Sequence, residues 1–142
     1  MKNFEKFQFS PKLCRQELHK LKELLEMQDD LHENRAVLPF FQKNKHLSAF
    51  IGSHAAQIVQ YDRLAFEYDL FGDFTADLVV GDSSRGHYCF VEFEDASKNS
   101  VFRQTNRASS EWSPRFEHGF SQIIDWFWKL EDMRQTTKFR EI

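Results

Sequence analysis

The fold prediction for this chain rests on one stretch, Tyr88-Cys89-Phe90-Val91-Glu92-Phe93-Glu94-Asp95. Aromatic and β-branched residues after the turn-forming segment Gly81-Asp82-Ser83-Ser84-Arg85-Gly86 predict a strand. Side chains alternate along a strand, so Glu92 and Glu94 share one face, roughly 6.5–7 Å apart. Burying unpaired carboxylates is costly. The pattern therefore indicates either a solvated sheet face or a metal or acid–base site.

The composition limits the classes of protein to consider. The chain has 142 residues, a net charge of −3 and 16 phenylalanines, which predicts one domain (1–142) with an aromatic core and a helical part at about residues 10–52. The negative charge excludes a generally basic protein that coats nucleic acid. Cys14 and Cys89 have no CxxC partner, and neither a signal peptide nor a membrane-spanning run is present. We expect a cytoplasmic location and no membrane partner.

Two helices begin with the same signal, a serine cap followed by proline. The first is predicted for residues 11–30, after Ser10, and the second from Pro114 to about Met133, after Ser113. The second has an apolar stripe that is predicted to be buried and consists of Phe116, Phe120, Ile123, Phe127 and Leu130. A neighbouring polar stripe consists of His118, Gln122, Asp125 and Lys129.

Two more strands are predicted, at residues 63–70 and 75–80, joined through Gly72-Asp73. With the strand at Tyr88 they form an antiparallel meander. If Val80 pairs with Cys89, Asp77 lies opposite Glu92, with Cβ atoms about 5 Å apart on one face. The hairpin register thus predicts that a third carboxylate joins the Glu-x-Glu pair.

The segment 97–113 is polar and lacks a regular period. Its basic residues, with one just beyond it, are Lys98, Arg103, Arg107 and Arg115. They belong either to a solvated loop or to a loop that contacts phosphates, and DNA is the partner that the second interpretation implies.

Together these features resemble the PD-(D/E)xK nuclease superfamily, and more closely the nuclease domain of Shedu-type anti-phage proteins. The resemblance runs from about Leu24 to Met133. The segments that carry it are Glu33 with Phe41-Gln42-Lys43-Asn44, Ala76-Asp77-Leu78, Phe90-Val91-Glu92-Phe93-Glu94 and His118-Gly119-Phe120-Ser121-Gln122-Ile123-Ile124-Asp125-Trp126.

The resemblance implies an α/β fold whose central mixed or antiparallel sheet is flanked by helices, as in restriction endonucleases. It also implies hydrolysis of DNA with Mg²⁺ or Mn²⁺, and a homo-oligomer is a further expectation. Asp77 and Glu92 would be metal ligands, with Glu33 and Gln122 completing the catalytic set. Glu94 stands where the family motif has lysine, so we expect it to act as a general base or as a ligand of a second metal ion. Ala76 replaces the usual proline.

Two other functions stay open from the sequence. A nuclease-like fold without catalysis would serve as a binding or assembly module, which the loss of the lysine favours. A glycosidase would also use paired carboxylates, and separations of roughly 6.5–9.5 Å suit an inverting enzyme, although no aromatic-lined sugar cleft is evident.

Each candidate residue also has a structural alternative. Asp77 would cap a strand end, Glu33 would belong to a charged helix surface and Gln122 would bond to backbone in the core. Trp126 and Trp128 are interpreted as packing residues.

Overall fold

The computed structural model describes residues 4–103 and 110–136. Its strands are β1 (Glu5–Lys6), β2 (Asp30–Leu31), β3 (Arg63–Leu70), β4 (Phe74–Asp82), β5 (His87–Val91), β6 (Ala96–Ser97), β7 (Phe102–Arg103) and β8 (Glu111–Trp112). Its α-helices are α1 (Pro11–Met27), α2 (Leu38–Lys43), α3 (Lys45–Ile51) and α4 (Pro114–Met133). A π-helical turn, Glu33–Val37, precedes α2, and a 3₁₀ turn, Gly52–His54, follows α3. The predicted α/β class is confirmed.

Four strands form one antiparallel sheet in the order β1-β3-β4-β5. The predicted meander is confirmed, and so is its register, since Val80 pairs with Cys89. The strand β5 nevertheless ends at Val91, so the prediction that the strand runs to Asp95 is wrong. The reason is that the Phe93 N–H donates to the Asp77 carboxylate (2.7 Å) and not to a backbone carbonyl.

The helix boundaries follow their caps. Ser10 accepts a hydrogen bond from the Leu13 N–H at the start of α1, and Ser113 accepts one from Phe116 at the start of α4. The helix α4 has its predicted bounds. In contrast, α1 ends at Met27, three residues before the predicted end, because Asp30 and Leu31 pair with β6.

Two hydrophobic clusters lie on the two faces of the sheet. The first packs α2 and α3 against β3 and β4, and its buried members are Leu31, Val37, Leu38, Ala49, Leu64, Leu78, Val80 and Phe93. The second packs α4 against the sheet, and its buried members are Ala65, Tyr68, Leu70, Ala76, Val79 and Trp126. Helices therefore flank the sheet, as predicted. None of the helices within 4–103 and 110–136 is long and apolar enough to cross a membrane.

The orientation of α4 differs from the prediction. Gly119 and Trp126 are its buried residues, whereas Phe120 and Phe127 are 55% and 65% exposed. Trp128, interpreted as a packing residue, is 77% exposed. The Trp126 ring fills the second cluster, and Ile123 and Leu130 of the predicted stripe pack against it. The prediction is therefore confirmed for Ile123 and Leu130 and wrong for Phe120 and Phe127.

Candidate active site

The acidic residues singled out in the sequence come from separate elements that meet at one end of the sheet. Glu33 begins the π-helical turn, Asp77 lies in β4, and Glu92 and Glu94 follow β5. Buried Phe93 stacks on Phe41, with ring centroids 4.5 Å apart, and belongs to the first cluster. Since side chains alternate in extended chain, its neighbours Glu92 and Glu94 turn toward α4.

Asp77 occupies an interruption in the strand pairing. The β3–β4 register includes Phe66 with Leu78 and Tyr68 with Ala76, but not the intervening residues Glu67 and Asp77. Glu67 also has a positive φ of 48°, an uncommon conformation for a residue with a side chain. Burial raises the pKa of Asp77, the nearby Glu67 carboxylate adds to the rise, and the Phe93 N–H opposes it. The break in the β3–β4 pairing thus coincides with Asp77, the acid that β4 contributes to the site.

Glu92 is the most strongly perturbed acid of the group. Burial, followed by repulsion from the carboxylates of Asp77, Glu33 and Glu94, raises its pKa to about 8, and the amide of Gln122 partly opposes the rise. The same two causes, burial first, raise the pKa of Glu33. Nearby negative charges thus disfavour the ionised forms of Glu33 and Glu92.

Glu33 is held by a residue to which the sequence assigned no role. The carboxylate of Asp95 accepts the Glu33 N–H (2.6 Å) and contacts His32 Nδ1 (3.3 Å) and Arg115 Nη1 (2.5 Å). The side chain of His32, the residue before the π-helical turn, does not cap it. Asp95, from a distant part of the chain, accepts the Glu33 N–H instead. These donors lower the pKa of Asp95, the Glu33 N–H most of all. We call this arrangement the Asp95 clamp.

Glu94 lies against α4 at a glycine. A Cβ atom on Gly119 would stand 3.4 Å from Glu94 Oε1 and 3.2 Å from Glu94 Cγ, and the second distance is tighter than most real Cβ contacts. Three buried oxygens here accept no hydrogen bond from the described residues: Glu92 Oε2, Glu94 Oε1 and Gln122 Oε1. Such atoms are costly unless a ligand completes them.

The donor chemistry suits a hard divalent cation. Carboxylate and amide oxygens are what Mg²⁺ and Mn²⁺ prefer, and a cation would offset the repulsion that raises the pKa of Glu92. Within residues 4–103 and 110–136, no group of three or more His, Cys, Asp or Glu side chains already has the spacing to hold a metal ion.

Two of the predicted phosphate-contacting residues, Arg103 and Arg115, lie beside this site. Glu94, Arg103, Arg115 and His118 line a cleft of about 550 Å³. Arg103 pairs with Glu111, Arg115 with Asp95, and exposed Lys98 with Asp29 (3.0 Å). Arg107 lies outside the described residues. A phosphate that binds these basic side chains would therefore have to displace the carboxylates with which they now pair.

One comparison with known proteins gives a match. Residues 30–142 match the family described as Shedu protein SduA, C-terminal. The matched span includes all five candidate catalytic residues and leaves out β1 and α1. No curated protein and no solved structure matches the chain.

Proposed function

The chain belongs to the Shedu SduA C-terminal family, and from this premise we propose that it is a metal-dependent DNA endonuclease domain. The family indicates a context of anti-phage defence. The observation that carries the proposal is the meeting of Glu33, Asp77, Glu92 and Glu94, where burial and then repulsion from the other carboxylates raise the pKa of Glu92 to about 8. Unfavourable charge of this kind is common at catalytic sites.

The proposed roles follow the contacts of each residue. Asp77 and Glu92 hold the cation, and the Phe93 N–H fixes the Asp77 carboxylate. Glu33 contributes a further acid, positioned by the Asp95 clamp, and Gln122 directs its amide toward Glu92. When bound, Mg²⁺ or Mn²⁺ offsets charge on the phosphate and acidifies a water molecule.

The surroundings of Glu94 support a role for its carboxylate as the general base. Its Oε1 is buried and accepts no hydrogen bond from the described residues. In the proposed step Glu94 accepts a proton from water, whose oxygen attacks phosphorus. The bond from phosphorus to the departing sugar oxygen breaks, and that oxygen takes a proton from solvent. A ligand role toward a second metal ion is the alternative for this residue.

A nicking assay on supercoiled plasmid with Mn²⁺ tests the proposal. The intact protein should cut, whereas Glu92→Ala and Glu94→Ala should not. Glu117→Gln removes an exposed carboxylate of α4 and serves as the matched control. Cutting by Glu94→Ala at the rate of the intact protein would contradict the general-base role.

Metal binding provides a second test that does not depend on turnover. Calorimetry with Mn²⁺ should show an affinity that Glu92→Gln weakens at least tenfold, because loss of a direct ligand should cost no less than the roughly 10–100-fold that loss of an outer-shell partner costs. Glu117→Gln should bind as the intact protein does. Equal affinities for all three would overturn the assignment of Glu92 as a ligand.

A module without catalysis is the second candidate function, favoured by glutamate at position 94 in place of the lysine of the related nucleases. It predicts binding of DNA with no nicking at any Mn²⁺ concentration, even when the protein is folded.

A further inference from the structure

The C-terminal half of α4 exposes large apolar side chains beside acidic ones. Phe127 and Trp128 are 65% and 77% exposed, and Ile124 is 42% exposed. Aromatic side chains bury about 150–250 Å² each when covered. Monomeric proteins rarely leave several such groups together unless the surface binds something.

Phe127 and Trp128 line a groove of about 840 Å³. Its apolar part is formed by Phe74, Phe127 and Trp128, and its acidic part by Asp125, Glu131 and Asp132. The basic residue at the groove, Lys129, forms an ion pair with Asp73. Among the described residues, Asp125 and Asp132 form no ion pair, so the groove presents uncompensated negative charge next to aromatic rings.

An arginine side chain matches both parts of this surface. Its guanidinium stacks on aromatic faces, tryptophan best of all, and binds carboxylates through paired hydrogen bonds. Glu131 already receives Arg134 Nη1 at 3.5 Å on the same helix. The same carboxylates repel the phosphates of a nucleic acid. The groove is therefore not expected to be part of the DNA-binding surface.

We propose that the groove docks an arginine-containing apolar segment of a partner protein. In a two-fold dimer both copies present the same face, so association through the groove would bring one acidic surface against another. Like charges opposed in this way disfavour self-association through the groove. Charge complementarity therefore selects a basic partner.

The position of the groove leaves the acidic site open. Gly119 and Gln122 of α4 face the carboxylates, whereas the groove begins at Asp125 and continues to Asp132. One helix thus contributes to both surfaces along different parts of its length. The docking function does not depend on nuclease activity.

Two synthetic peptides of equal length test the proposal, one alternating leucine with arginine and the other leucine with glutamate. In calorimetry with the whole chain, we expect binding of the arginine peptide only. Trp128→Ala should weaken it about fivefold, consistent with loss of a cation–π contact. Asp132→Asn should weaken it and reduce its dependence on salt.

Phe120→Ala is the matched control, since Phe120 is an exposed aromatic residue of α4 that does not line the groove. It should bind the arginine peptide as the intact protein does. Equal binding of the glutamate peptide, or an equal loss in Phe120→Ala and Trp128→Ala, would overturn the proposal. Sedimentation showing a dimer that Trp128→Ala dissociates would assign the face to a second copy instead.

Discussion

Asp82 and Glu92 are two acids at opposite ends of the β4–β5 hairpin, and their environments differ completely. Asp82 is 0% exposed, yet its carboxylate accepts hydrogen bonds from the backbone N–H groups of Val59, Gln60, Ser84 and Arg85. The Ser84 hydroxyl donates to it as well. These donors, the Ser84 hydroxyl most of all, lower the pKa of Asp82.

Glu92 is less buried than Asp82 but has other carboxylates for neighbours, and its pKa is raised. The difference shows that burial alone does not determine whether the pKa of an acid is raised or lowered. What distinguishes the two acids is whether the surroundings stabilise the charged form. The Asp82 carboxylate stabilises a turn through its hydrogen bonds. Glu92 has no comparable set of donors among the described residues, and its negative charge would be stabilised by a bound cation or removed by a proton.

The largest expected effect comes from removing the structural acid. Asp82→Ala leaves the N–H groups of Val59 and Gln60 without their acceptor, and buried donors without partners are strongly destabilising. We expect the thermal midpoint to fall by on the order of 10 °C, measured by circular dichroism. Asp82→Asn keeps one oxygen acceptor and should lose less. An unchanged midpoint in Asp82→Ala would show that these hydrogen bonds do not hold the turn.

The second prediction concerns pH in the absence of divalent metal. A pKa of about 8 in the folded chain, against about 4.5 unfolded, means that the folded state keeps a proton that the unfolded state releases. The stabilisation is complete below about pH 4.5 and is lost as pH rises toward 8, with a slope that approaches one proton. Urea unfolding across this range should show the decline.

Glu92→Gln should reduce that dependence, because glutamine has no proton to lose, and what remains comes from Asp77 and Glu33, whose pKa values are also raised. Glu117→Gln, which removes an exposed acid, should retain the decline. If the intact protein and Glu92→Gln have the same slope, the charge of Glu92 is already compensated, and the contrast with Asp82 fails.

The smallest expected effect tests the contact between α4 and the site. Gly119→Ala gains about 1 kcal/mol of helix propensity, but the added methyl meets Glu94 at 3.2 Å. We expect little net change in the free energy of unfolding and a several-fold loss of Mn²⁺ affinity measured by calorimetry. Ser121→Ala, on the exposed side of α4, should leave the affinity unaltered. Unchanged affinity in Gly119→Ala would mean that Glu94 moves aside without cost.

The sequence predicted the hairpin because its signals are local. The turn residues at Gly81 to Gly86 and the alternation around Val91 determine which residues pair, and Val80 does pair with Cys89. The end of β5 at Val91 was not predictable, because the Phe93 N–H donates to the side chain of Asp77 and not to a backbone carbonyl. The same reasoning could not detect Asp95, whose partner Glu33 is 62 residues away.

The orientation of α4 was not predictable for a different reason. Aromatic residues lie on several faces of this helix, so its periodicity does not define one buried stripe. Phe120 and Phe127 fit the expected spacing, but Trp126 is the residue that enters the core. A cue was available in Gly119, since glycine within a helix indicates a close neighbour.

The Asp95 clamp has a consequence for the rate at which the chain folds and unfolds. It joins Glu33, Asp95 and Arg115, so it forms only after long loops have closed, which is costly in entropy. The β3–β4 and β4–β5 hairpins close much shorter loops and require none of the clustered acids to meet. We therefore expect the hairpins to form in the folding transition state and the carboxylates to meet afterwards. Repulsion within the site should then accelerate unfolding and leave the folding rate nearly unaffected.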